Sequence, residues 1–75
     1  MTLIQLKRGQ HAVIDRIATS EVPLKLMEMG CLPGATVTLV QQAPFKDPLY
    51  LNVNGTHLAI RRKVARAIVI TPIDA

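Results

Sequence analysis

Apolar and polar positions alternate with a period of two in three places along the 75-residue chain, and crowd together in a fourth. From Thr36 to Gln42, Val37 and Leu39 point one way while Thr36, Thr38 and Val40 point the other, the signature of a strand with one buried face. Leu49, Leu51 and Val53 alternate with Tyr50, Asn52 and Asn54 in the same manner, and the Asn54-Gly55 pair that follows suits a type I′ turn, which needs φ > 0 at both central residues. A two-residue loop there opposes Val53 with Thr56, Leu51 with Leu58 and Leu49 with Ile60, so every apolar partner falls on one face. The β-branched Val13, Ile14 and Ile17 suggest a first strand from His11 to Ile17 with imperfect alternation, and Ala67 to Ile70 a last, mostly buried one ended by Thr71-Pro72.

The crowded stretch lies between the first two strands. Thr19-Ser20 has the chemistry of a helix N-cap, Glu21 puts a favourable charge in the first turn, and Pro23 is tolerated there because first-turn N–H groups lack an intrahelical partner. The predicted helix keeps Glu21, Lys25 and Glu28 on one narrow stripe and spreads Val22, Leu24, Leu26, Met27 and Met29 over most of the remaining circumference. Gly30 can close its C-terminus in the left-handed conformation, and Pro33-Gly34 fits a type II turn into the strand beginning at Ala35. Upstream, Thr2 and Gln5 have capping-box spacing, which predicts one helical turn from Leu3 to Lys7 before Gly9. The segment 43–48, with prolines at both ends, predicts a turn-rich link without a helix, and Arg61 to Ala65 a tight turn. Five short strands with one helix between the first and second predict a mainly β domain over residues 1–75, a small SH3-like barrel; an OB-like barrel is the alternative.

Composition narrows what such a domain can do. Phe45 and Tyr50 are the only aromatic residues, and the single Cys31 excludes an intrachain disulfide, which favours a reducing cytoplasm. Lys7 and Arg8 are followed by an apolar run that Asp15 interrupts too early for a signal sequence, and no stretch approaches the roughly 18 apolar residues of a membrane span. The net charge of +4 invites a nucleic-acid reading. Only Arg61-Arg62-Lys63 with Arg66 forms a cluster, no aromatic is interleaved with it, and no helix-turn-helix, zinc-finger or RNP-like pattern occurs, so a solvated basic corner and no nucleic-acid partner are expected.

The chemistry of catalysis is equally thin. No nucleophile and base can be paired, and no phosphate-cradling P-loop exists, so no enzymatic activity and no cofactor are expected. The possible metal donors His11, Asp15, Cys31, Asp47 and His57 include no close-spaced pair, so no metal site is expected; His57 should lie opposite Asn52 on a polar face and Cys31 should pack as a small apolar residue. The over-apolar helix remains. Covering by Leu3 and Leu6 could absorb part of it, and the rest would leave Leu24, Met27 and Leu32 as a patch for a partner.

The run Leu26-Met27-Glu28-Met29-Gly30-Cys31-Leu32-Pro33-Gly34-Ala35, then Ala43-Pro44, Asp47-Pro48, Gly55, and Ala59-Ile60-Arg61 with Ala65 and Ile68-Val69, resembles the FeoA family of small ferrous iron transport proteins over nearly the whole chain. Thr2-Leu3, Leu6 and Gly9 match the way such chains begin; Ile60 and Cys31 depart slightly, where leucine and an aliphatic residue are common. The same module occurs as the C-terminal domain of iron-dependent repressors, but a start at Met1 leaves no room for a DNA-binding domain and implies a free-standing protein. The resemblance implies a cytoplasmic adaptor at the inner face of the inner membrane, touching the membrane only through FeoB, the ferrous iron permease with a cytoplasmic GTPase domain. The partner-binding residues expected on this reading are Leu24, Met27, Leu32, Arg61, Arg62 and Lys63. Weak self-association would use the same patch, an arginine finger at Arg61 or Arg62 ranks below plain charge complementarity, and a nucleic-acid-binding barrel or a direct iron chaperone are the alternative functions.

Overall fold

The computed structural model describes residues 1–73, without the side chain of Lys46. Alternation becomes sheet where it was clearest. Strands β1 (His11–Ile17), β2 (Thr36–Gln42), β3 (Leu49–Val53), β4 (Thr56–Ile60) and β5 (Ile68–Pro72) form one sheet in the order β4-β3-β2-β1-β5, with every ladder antiparallel. This strand order, closed around one core, is the five-stranded SH3-like barrel expected. The helix α1 (Leu24–Glu28) falls between β1 and β2, which sets the OB-like alternative aside.

The hairpin register is the one the sequence dictates: Val53 opposes Thr56, Leu51 opposes Leu58 and Leu49 opposes Ile60, around a turn with Asn54 at φ 49 and Gly55 at φ 89. Leu49, Leu51, Val53, Leu58 and Ile60 are all buried, and they meet Ile14, Val37, Leu39, Ile68 and Ile70 from the other strands in one cluster. The imperfect alternation of β1 has a physical cause. Its register against β5 shifts between Ile14 and Arg16, a bulge that leaves Asp15 outside the ladder and exposed; β2 carries a second bulge between Leu39 and Gln41.

The N-terminal turn closes the barrel at one edge. Leu3–Gln5 forms a 3₁₀ turn in which the Gln5 Oε1 accepts from the Thr2 N–H at 2.9 Å, shorter than the expected turn to Lys7. Leu3 and Leu6 are buried, and the turn packs on β5 and on the segment after β4. The Ile70 N–H donates to the Met1 carbonyl at 2.7 Å and Thr2 bridges to Val69, so the outer edge of β5 is covered by the chain's own start.

Three local expectations need correction. The helix does not begin at Thr19-Ser20: Glu21 and Val22 donate to the Ala18 carbonyl in a separate turn, Val22 is buried, and Pro23, with ψ 137, is the residue before the first helical turn. A proline disfavours the helical region for the residue before it, so Val22 cannot lead a helix through Pro23. Arg61 to Ala65 is not merely a tight turn, because Arg62–Ala65 makes one turn of α-helix, α2. Its start is supported from outside: the Asp47 Oδ1 accepts from the Arg62 N–H at 3.1 Å, an N-terminal cap supplied by a distant loop. The last strand continues through Thr71-Pro72, where Pro72 pairs with Ala12 at the strand's end, a place that tolerates a residue without an N–H. Between β2 and β3 the chain makes a single short 3₁₀ segment, Pro44–Lys46, interrupted by Phe45 at φ 66.

Candidate functional site

The exit of α1 determines what the segment exposes. The Cys31 N–H donates to the Leu26 carbonyl at 3.0 Å and the Gly30 N–H to the Met27 carbonyl at 3.1 Å, the paired bonds of a Schellman cap, with Gly30 at φ 104. That motif turns the chain back on itself and brings the residue after the glycine against the helix, so Cys31 is buried beside the partly buried Leu26. The Ala35 N–H then donates to the Leu32 carbonyl at 3.0 Å, closing the Pro33-Gly34 turn, and the Gly34 N–H donates to the Ile14 carbonyl at 2.8 Å, tying the turn to β1.

A five-residue helix is only about 7.5 Å long, so the residues left outside this cap belong to one compact projection. Leu24 is 66% exposed and Leu32 45%, and Met29, which sequence reasoning placed on the apolar arc without singling it out, is 39% exposed. Met27 is half-buried against the core. Lys25 and Glu28 stand exposed beside them. Glu21 lies off the helix and lines a shallow depression of about 590 Å³ with Ser20, Lys63, Val64 and Arg66, so the loop leading into α1 adjoins the basic corner. Glu21 and Lys25, predicted to share one helix stripe, make no ion pair; among the described residues the one ion pair within 4 Å joins Arg61 Nη1 to Asp47 Oδ2 at 3.8 Å. Both partners are substantially exposed, so this pair contributes little by itself.

The potential metal donors are spread over the barrel. His11, Thr38, Asn52 and His57 form one row across β1, β2, β3 and β4, with His11 Nδ1 and Thr38 Oγ1 2.8 Å apart. The two histidines are therefore three strand spacings apart, about 14 Å, too far to share an ion. Asp15 accepts from the Thr71 hydroxyl and Asp47 is engaged by α2. Among the described residues no three His, Cys, Asp or Glu side chains gather in a metal-binding group.

Burial pushes the Cys31 thiol up from its ordinary value, so it stays protonated near neutral pH, and the thiolate is the nucleophilic form. Thiol reagents are expected to leave the folded protein unmodified and to label Cys31 at once in denaturant. Fast labelling under native conditions, read by mass spectrometry, would show that the α1 exit opens readily.

Sequence reasoning overlooked Phe45, which is 98% exposed at the apex of the β2–β3 connection. Its flanks carried the available signal: it sits between Pro44 and Pro48, beyond the point where the alternation of β2 stops, and so has no core position to occupy.

The FeoA domain family matches residues 1–72. A fusion of Fe(2+) transport protein A with the Fe(2+) transporter FeoB from Porphyromonas gingivalis is 37% identical to this chain over 76 residues, covering all of the chain and 9% of the fusion's own length. Among solved structures, the FeoA protein of Chlorobium tepidum superposes with a TM-score of 0.88 at 30% identity, over 99% of this chain and 71% of that one. The FeoA of Stenotrophomonas maltophilia, an SH3 domain protein determined in complex with zinc, gives a TM-score of 0.79 at 29% identity, over 95% of this chain and 89% of that one. With a match that runs from the N-terminal turn through β5, the chain belongs to the FeoA family.

Proposed function

We propose that this protein is a non-enzymatic accessory of ferrous iron uptake that docks on the cytoplasmic region of a FeoB-type permease and modulates its GTPase cycle. The observation that carries the reading is the relative in which the two units share one polypeptide, since covalent linkage gives a weak interaction a high effective concentration. The exposed Leu24, Met29 and Leu32, with Met27 beneath them, supply the aliphatic surface such docking needs. Arg61, Arg62 and Lys63 lend long-range attraction to an acidic partner, which acts on the rate of encounter more than on affinity.

GTP hydrolysis and ferrous iron uptake by FeoB, measured with and without added protein, test the proposal. A saturable change in either rate is expected. Identical rates at concentrations that saturate binding would overturn the modulatory role.

A further inference from the structure

Phe45 is almost wholly in water, and its backbone occupies the left-handed region that a bulky side chain avoids. No packing within the molecule offsets that conformation, and a residue held this way points to a function outside the fold. The loop that holds it is anchored. The Ala43 N–H donates to the Pro48 carbonyl at 3.1 Å, and Asp47, two residues beyond Phe45, meets both the Arg62 N–H and the Arg61 guanidinium. The aromatic tip is therefore tethered to the start of α2, where Arg61, Lys63 and Arg66 are exposed. Asp47 is engaged by these groups and Glu21 stands beside Lys63 and Arg66, yet Arg61, Arg62, Lys63 and Arg66 outnumber these two carboxylates on a chain that is already +4.

We propose that the Phe45 tip and the Arg61 to Arg66 corner together form a contact for an anionic lipid surface. An exposed aromatic whose loop is tied to exposed cations presents an apolar tip beside positive charge. An interface of headgroups and acyl chains takes up both, because it accommodates an aromatic at the acyl boundary and attracts basic side chains through its negative potential. With one aromatic and a handful of cations the contact is weak and reversible. Its aromatic tip is distinct from Leu24, Met29 and Leu32, whereas its cations include Arg61 and Lys63, which also attract FeoB, so Phe45 is the residue that separates the two contacts.

Co-sedimentation of the intact protein with phosphatidylcholine vesicles, with and without phosphatidylglycerol, tests the contact. Binding is expected only to the anionic vesicles and should fade as salt rises. Phe45→Ser should lower the partition coefficient about tenfold, the equivalent of withdrawing most of one aromatic from the interface. Phe45→Gly, which accepts the left-handed backbone, should bind as weakly as Phe45→Ser and so separate loss of the ring from change in the loop. The double variant Lys63→Glu, Arg66→Glu should abolish binding, and Leu24→Glu should leave it unchanged. Equal binding to neutral vesicles, no binding at low salt, or unaltered binding by Phe45→Ser would overturn the proposal. Loss of FeoB affinity in Phe45→Ser without any vesicle binding would also overturn it and assign the tip to the protein partner.

Discussion

Replacing Leu51 with alanine is expected to cost the fold about 2–5 kcal/mol, the range for a buried leucine truncated where its surroundings cannot collapse. Leu51 is 1% exposed and sits in the central part of the sheet, opposing Leu39 on one side and Leu58 on the other, both buried. Backbone ladders on both flanks fix β3 in place, so neighbouring strands have little freedom to close the gap. A domain of this length has a total stability of roughly 4–11 kcal/mol, which makes the loss a large part of the whole. Thermal unfolding followed by circular dichroism should show a fall of about 8 °C or more, since each kcal/mol shifts the midpoint of a domain this small by about 4–8 °C. A midpoint within a few degrees of the parent would mean that the core is not organised around β3.

Leu24→Glu is expected to weaken binding to the cytoplasmic region of FeoB by about 30-fold or more, the loss of one central apolar anchor. The same substitution should leave stability within about 0.5 kcal/mol, because a side chain 66% exposed at the first residue of a helix loses little packing, and a carboxylate there is favoured by the helix dipole. Met27→Glu makes the necessary contrast. Met27 is half-buried against the core, so its loss should lower stability as well as binding, and only Leu24 separates the two effects. Calorimetric titration of each variant, with its melting curve, gives both quantities. Unchanged affinity for Leu24→Glu would remove the α1 flank from the interface.

What the sequence revealed and what it concealed divide along physical lines. The β3–β4 hairpin was legible to the residue because Asn54-Gly55 permits one turn geometry and a slip of one position would bury Asn52 and expose Leu51. The helix exit was legible for the same reason, since Gly30 and Gly34 mark backbone conformations few other residues accept. The start of α1 was not. Thr19, Ser20 and Glu21 have the chemistry of a cap, and the buried site that draws Val22 away from the helix is made by distant residues. α2 was hidden because its cap, Asp47, lies fifteen residues away in the chain.

At the candidate site, Leu24 and Leu32 could be anticipated from an apolar arc too wide for a small domain to cover, whereas the half-burial of Met27 depends on how the helix rotates against the sheet. The turn that carries Leu3 packs on β5 and α2, while Leu24 and Leu32 stay open to solvent. Phe45 escaped notice because an aromatic residue reads as core material until the strand pattern around it is known.

Docking of FeoB on the α1 flank can be followed residue by residue by titrating the isotopically labelled protein with the cytoplasmic region of FeoB and recording its amide resonances. Shifts or broadening are expected only in the segment from Leu24 to Ala35 and its immediate neighbours, with the row of His11, Thr38, Asn52 and His57 undisturbed. Perturbations centred on that row, with Leu24, Met29 and Leu32 unchanged, would contradict it.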